Sequence, residues 1–180
     1  MNKLLRPRAV MSLICLPGLA MTGMANADQL DFTASLSGEQ EVVLDGDMFV
    51  KGGTDTDASG RIAVRFDRAL TRVRVNLRIE GLTGTFAAAH FHCGRPGQNG
   101  DVVFGLVNPG MLEFDGERIR GTLTNADYTG ADCLDEIGRP VNNIAALAFA
   151  MRDGLIYANV HSDLFPAGEI RGQMLPHQDD

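Results

Sequence analysis

The stretch Leu70-Thr71-Arg72-Val73-Arg74-Val75-Asn76-Leu77-Arg78-Ile79-Glu80-Gly81-Leu82 decides the fold class. Val73, Val75, Leu77 and Ile79 alternate with Arg72, Arg74, Asn76, Arg78 and Glu80, so an extended chain carries the first set on one face and the second on the other. One face suits a core and the other suits water, the pattern of an antiparallel sheet covered on one side. Shorter runs of the same kind are Phe32–Leu36, Arg61–Phe66, Phe86–His92, Val102–Val107, Ile119–Leu123, Leu155–His161 and Glu169–Leu175. Turn formers such as Asn99-Gly100 and Asp115-Gly116 separate them. About eight short strands at this spacing predict an all-β, antiparallel sandwich or barrel of Greek-key type. One short helix interrupts them: Asn142 or Asn143 caps a segment in which Ile144, Leu147, Ala148 and Met151 share a face, and Gly154 ends it. The stretch Asp45 to Ser59, rich in Gly, Asp and Thr, reads as a long exposed loop whose acids are not in EF-hand order.

With 180 residues the chain has the length of a single domain, and 44% hydrophobic against 22% charged residues excludes a disordered protein. The formal charge of −7 and the lack of a basic run beyond the first eight residues argue against nucleic acid as a partner. That basic start, Lys3, Arg6 and Arg8, is followed by the apolar stretch Ala9 to Met24 and by Ala25-Asn26-Ala27, the small-x-small pattern of a signal-peptidase site. Residues 1–27 are expected to be a removed signal peptide, leaving a domain over 28–180 without a membrane anchor in the periplasm or outside the cell. The apolar run, broken by Pro17-Gly18, is short of the roughly 20 residues a membrane span needs. Removal leaves 13 Lys+Arg against 23 Asp+Glu, a charge of −10, and takes away Cys15. Cys93 and Cys133 then remain as a pair in an oxidising compartment, where a disulfide between them is expected. Metal ligation by Cys93 is the alternative, disfavoured because consecutive strand residues face opposite ways and Cys93 follows His92.

The chain has four histidines, and His90, His92 and His161 lie in strand-like runs while His177 sits in a polar tail. Spacing of two puts His90 and His92 on one face, roughly 7 Å apart, and His161 on a neighbouring strand would complete a three-nitrogen site with an open position. Such a set suits a copper ion first and zinc second. Glu169 and Arg171 share a strand face and are candidates to orient a ligating imidazole from behind. An unperturbed histidine predicts loss of metal below about pH 6. No Gly-x-Ser-x-Gly turn, phosphate loop, dinucleotide fingerprint or Cys-x-x-Cys is present, so no residue set names a reaction.

Ala34-Ser35-Leu36-Ser37-Gly38-Glu39-Gln40-Glu41-Val42, Ala89-His90-Phe91-His92-Cys93-Gly94, Tyr157-Ala158-Asn159-Val160-His161-Ser162 and Gly168-Glu169-Ile170-Arg171-Gly172-Gln173 occur in that order. Together they resemble the CHRD (chordin) domain family, in its exported bacterial branch. The resemblance implies an immunoglobulin-like β-barrel or sandwich; in chordin itself such domains belong to an extracellular antagonist of growth factors. Val43-Leu44 stands where the family usually has paired prolines. A remoter likeness is to copper/zinc superoxide dismutase barrels, but the histidine count excludes a complete two-metal dismutase site. Two functions follow as expectations: an exported protein with a mononuclear histidine site for copper binding, handling or simple redox chemistry, or a non-enzymatic module that binds a protein partner and whose histidines are structural.

Overall fold

A computed structural model describes residues 30–45, 48–131 and 133–178, with the backbone alone for 44–45 and 48–51. The expected signal peptide lies outside the described residues. The strands are β1 (Asp31–Ser37), β2 (Val42–Asp45), β3 (Met48–Lys51), β4 (Ser59–Phe66), β5 (Arg72–Glu80), β6 (Phe86–Cys93), β7 (Val102–Val107), β8 (Glu113–Phe114), β9 (Arg118–Thr124), β10 (Ile156–Ser162), β11 (Ile170–Gln173) and β12 (Leu175–Pro176). Neighbours in the main sheet run β7-β6-β10-β11-β1-β4-β5-β9-β8, every pair antiparallel, with β12 also pairing β1. The two ends come round toward each other: Phe104 on β7 bridges Tyr128, just past β9, and Val107 bridges Met111 ahead of β8. The sheet is thus a nearly closed barrel, and the all-β architecture read from the sequence is the one observed.

The alternation in β5 works as its pattern dictates. Val73, Val75, Leu77 and Ile79 are buried, and the arginines between them are exposed. Phe32 and Leu36 of β1, Ile62 and Val64 of β4, and Phe91 of β6 join them in one core, where each fully buried side chain of this size contributes about 1.5–3 kcal/mol. The helix forms as α2 (Ile144–Arg152), with the Asn143 side chain accepting from the Ala146 N–H. Ile144, Leu147, Ala148 and Met151 are all buried. A single further turn, α1 (Leu134–Ile137), precedes it.

Cys93 and Cys133 form a disulfide with Cα atoms 5.9 Å apart across a separation of 40 residues. It ties the end of β6 to the segment entering α1, and Cys93 is thereby removed from any ligand set. Part of the stretch read as one loop from Asp45 to Ser59 is instead the second arm of a hairpin, since β3 pairs with β2 from Val42↔Lys51 to Asp45↔Met48. Met48-Phe49-Val50 is an apolar run, and its backbone pairs with Asp45, Leu44 and Val43 in turn. No helix among the described residues is long and apolar enough to cross a membrane.

Candidate metal centre

On β6, Ala89, Phe91 and Cys93 point into the core, which leaves His90 and His92 on the outer face. On β10, Ile156, Ala158 and Val160 point inward, which leaves Tyr157, Asn159 and His161 outside. The register sets Tyr157 opposite His92, Asn159 opposite His90 and Ala88 opposite His161. His161 is therefore diagonal to His90, and the small Ala88 leaves its ring room to lean across. One nitrogen from each of His90, His92 and His161 lies within 4.8 Å of the other two, and His90 Nδ1 is 3.2 Å from His161 Nε2. His90 is buried, while His92 and His161 are half-buried. The three residues singled out by the sequence come together, and His177 lies outside the group.

Main-chain carbonyls fix the rings. His90 Nε2 donates to the Asn108 carbonyl at 2.9 Å, His92 Nδ1 to that of Gly100 at 2.9 Å, and His161 Nδ1 to that of Pro166 at 3.0 Å. A carbonyl only accepts, so each of these nitrogens carries the ring proton and the other nitrogen of a neutral ring is a bare lone pair. Those lone pairs are the converging atoms. His92 Nε2 is buried without a hydrogen-bond partner, and the short His90–His161 approach sets acceptor against acceptor. A buried unsatisfied acceptor costs about 1–3 kcal/mol.

A proton is not what the surroundings favour in that gap. Burial lowers the His92 pKa to about 3 against the opposing hydrogen bond to Gly100, with the neighbouring His90 and His161 adding to the fall. Burial and then the His90 charge take His161 to about 4, and burial lowers His90 as well. The group could hold a metal cation: His90 Nδ1 and His161 Nε2 already stand at ligand spacing, and His92 would draw in from within 4.8 Å. Tetrahedral coordination at about 2.0–2.1 Å spaces nitrogens about 3.3 Å apart, and the carbonyl-bound N–H on each ring is the usual device that fixes a ligating imidazole.

Tyr157 stacks on His92 with ring centroids 4.9 Å apart and planes 7° from parallel, and the Arg171 guanidinium lies 3.4 Å from the centre of the tyrosine ring. Arg171 is buried and donates to Asn99 Oδ1 at 2.9 Å, to the Arg95 carbonyl at 3.2 Å and to the Gln98 carbonyl at 2.6 Å. It thus pins the chain that arrives at Gly100, whose carbonyl holds His92. Glu169 is fully buried and accepts from the Thr83 N–H at 2.7 Å and the Thr56 hydroxyl at 2.9 Å. Burial works to raise its pKa, but hydrogen bonds from Ser162, Thr83 and Thr56 hold it below the usual carboxylate range. Among the described residues no hydrogen bond joins Glu169 or Arg171 to an imidazole.

Sequence reasoning passed over Tyr157, Asn159 and Glu41. The first two share the outer face of β10 with His161 by simple alternation, so the signal was present. Glu41 is buried and accepts from Asn159 Nδ2 at 3.0 and 3.2 Å. The carbonyls of Gly100, Asn108 and Pro166 left no signal, because every residue has one.

A family model described as CHRD domain matches residues 32–174, a span that contains the three histidines and both bonded cysteines. No curated protein and no solved structure shows significant similarity to the chain.

Proposed function

This chain belongs to the CHRD-domain family, and we propose that it is an exported member that binds one copper ion through His90, His92 and His161. The observation that carries this reading is the convergence of three neutral imidazole lone pairs, one of them buried and partnerless, with each opposite N–H tied to a carbonyl. Nitrogen sites favour copper(II) over the other first-row divalent ions, and imidazole sets also suit zinc. Three protein ligands leave a position open, which serves ion storage, delivery or a one-electron exchange at the bound metal. Arg171 supports the site at one remove, by holding the 95–100 segment, and Glu169 by tying the end of β10 to the Thr56 and Thr83 strands' connections. Export is supported by the basic, apolar and small-x-small order of residues 1–27 and by the disulfide.

The test is elemental analysis and copper paramagnetic resonance on the purified protein, beside His90→Ala and His161→Ala. One equivalent of copper with nitrogen hyperfine structure is expected, falling by about 10–100-fold or more in affinity in each variant. Stoichiometric binding that survives both substitutions overturns the site. Structural histidines in a protein-binding module give no reason for three imidazoles to converge with the His90 and His161 acceptors face to face, and the metal reading is preferred for that reason.

A further inference from the structure

The outer face of β4, β5 and β9 carries Arg61 and Arg65, then Arg72, Arg74 and Arg78, then Arg118 and Arg120. These seven are more than half of the 13 basic residues that remain once residues 1–27 are set aside, in a chain that is then −10 overall. Register concentrates them further. Arg61, Arg78 and Arg118 lie side by side across three strands, Arg65 faces Arg74, and Arg120 faces Asn76. Like charges directly opposite each other on one sheet face work against the fold, so nothing in stability asks for this arrangement. Two of the seven are answered, Arg65 by Asp31 at 2.6 Å and Arg78 by Glu80 at 2.8 Å. Among the described residues the other five form no ion pair within 4.0 Å, although Asp115 lies near enough to Arg118 and Arg120, and Asp67 to Arg72, to feel their charges, and Glu113 of β8 sits opposite Arg120. A groove of about 540 Å³ is lined by Arg65, Arg74 and Arg120 together with Thr33, Asn76 and Thr122, by apolar side chains between them, and by Asp31, whose carboxylate is taken up by Arg65.

We propose that this face binds an anionic polysaccharide, a linear chain of sugars bearing repeated carboxylate or sulfate groups. Guanidinium forks match such groups in a bidentate way, and strand geometry repeats them every ~6.6–6.8 Å along a strand and ~4.8 Å across the sheet. The Thr33 and Thr122 hydroxyls and the Asn76 amide that line the groove suit the hydroxyls of a sugar, and the apolar residues beside them suit its C–H face. Both β4 and β5 are paired on each side, so a peptide finds no free strand edge to extend. No exposed aromatic side chain lies among the outward residues of these strands, so a single-stranded nucleic acid finds nothing to stack on. The acidic remainder of the surface repels a polyanion and directs it here. The inference stands apart from the metal site, whose strands are β6 and β10.

The experiment titrates the purified protein with polygalacturonate and with dextran sulfate at rising salt, beside poly-glutamate and a DNA duplex. Arg74→Gln/Arg120→Gln and Arg61→Gln/Arg118→Gln are compared with Arg152→Gln, which lies on α2. Saturable binding to at least one polysaccharide is expected, weakening linearly in log–log with salt. Each double variant should lose about tenfold or more and show a shallower salt slope, with Arg152→Gln and the melting temperature unchanged. Failure of both polysaccharides at low salt, an equal loss in Arg152→Gln, or tighter binding of poly-glutamate or DNA overturns the proposal.

Discussion

Glu41 shows how much one buried group sets at the residue scale. Burial raises its pKa from 4.5 to about 7, against the lowering pull of Arg171 and the Asn159 hydrogen bond. The folded value lies above the unfolded one, so the stability tied to its proton is fully present below pH 4.5 and is lost as pH rises through 7. Glu41→Gln keeps an acceptor for Asn159 and removes the titration. Relative to the wild type, the variant should gain about 1 kcal/mol between pH 6 and pH 8, measured by urea unfolding at both values. The histidines titrate alike in both proteins and cancel in that difference. A gap between the two proteins that does not change with pH would show that Glu41 stays ionised in the fold. Nothing in Ser37-Gly38-Glu39-Gln40-Glu41-Val42 announces which of its two glutamates is buried; the answer depends on Asn159 and Arg171, more than a hundred residues away.

Elements were legible wherever one period ran unbroken. The β5 pattern and the capped face of α2 could be read because each records burial on one side only, and their boundaries match to within two residues. β10 gave a weaker signal, being buried almost throughout, with polar residues on its outer face that are satisfied by neighbouring loops. The β2–β3 hairpin was hidden by the glycines and acids around it. Asn143→Ala removes the α2 cap and should cost about 1 kcal/mol, lowering the melting temperature by roughly 2–4 °C. Reduction of Cys93–Cys133 is expected to cost more, on the order of 4 kcal/mol for a loop of this length. It also frees the end of the strand that presents His92, so copper affinity should fall in Cys93→Ser/Cys133→Ser, which lacks the bond and adds no thiol; affinity unchanged in a variant whose melting point has dropped would separate the staple from the site.

For the whole molecule, the three lowered histidine pKa values change the expected response to acid. Their folded values lie below the unfolded 6.5, so the stability of neutral imidazoles is present above 6.5 and is lost as pH falls toward 4. An ordinary histidine site would empty near pH 6, whereas here a proton competes poorly until well below it. Equilibrium dialysis should find copper still bound at pH 5 and released toward pH 4; half-release at pH 6 would contradict the buried, neutral state of the rings. Saturating copper at about a hundred times its Kd should stabilise the fold by about 2.7 kcal/mol, a rise of roughly 5–10 °C that EDTA reverses. The basic face was illegible for the opposite reason to the loops. A search for adjacent Lys and Arg finds no run after Arg8, because alternation spaces the arginines by two and only pairing between strands gathers them.

The orienting groups of the histidine cluster are peptide oxygens, and an oxygen of that kind survives every amino-acid exchange. A saturation scan of the gene should therefore be lopsided: positions 90, 92 and 161 intolerant, and position 166 far more forgiving although its carbonyl holds the His161 ring in place. Asn108 and Gly100 are the exceptions: Asn108 holds a φ of +52° and its side-chain amide donates to the Ala87 carbonyl, and any Cβ at Gly100 would come within bonding range of the Cys93 carbonyl. In a lineage of such proteins a support that acts through its peptide oxygen alone can change its spelling while keeping its path through space, and an eye trained on invariant letters would pass it by.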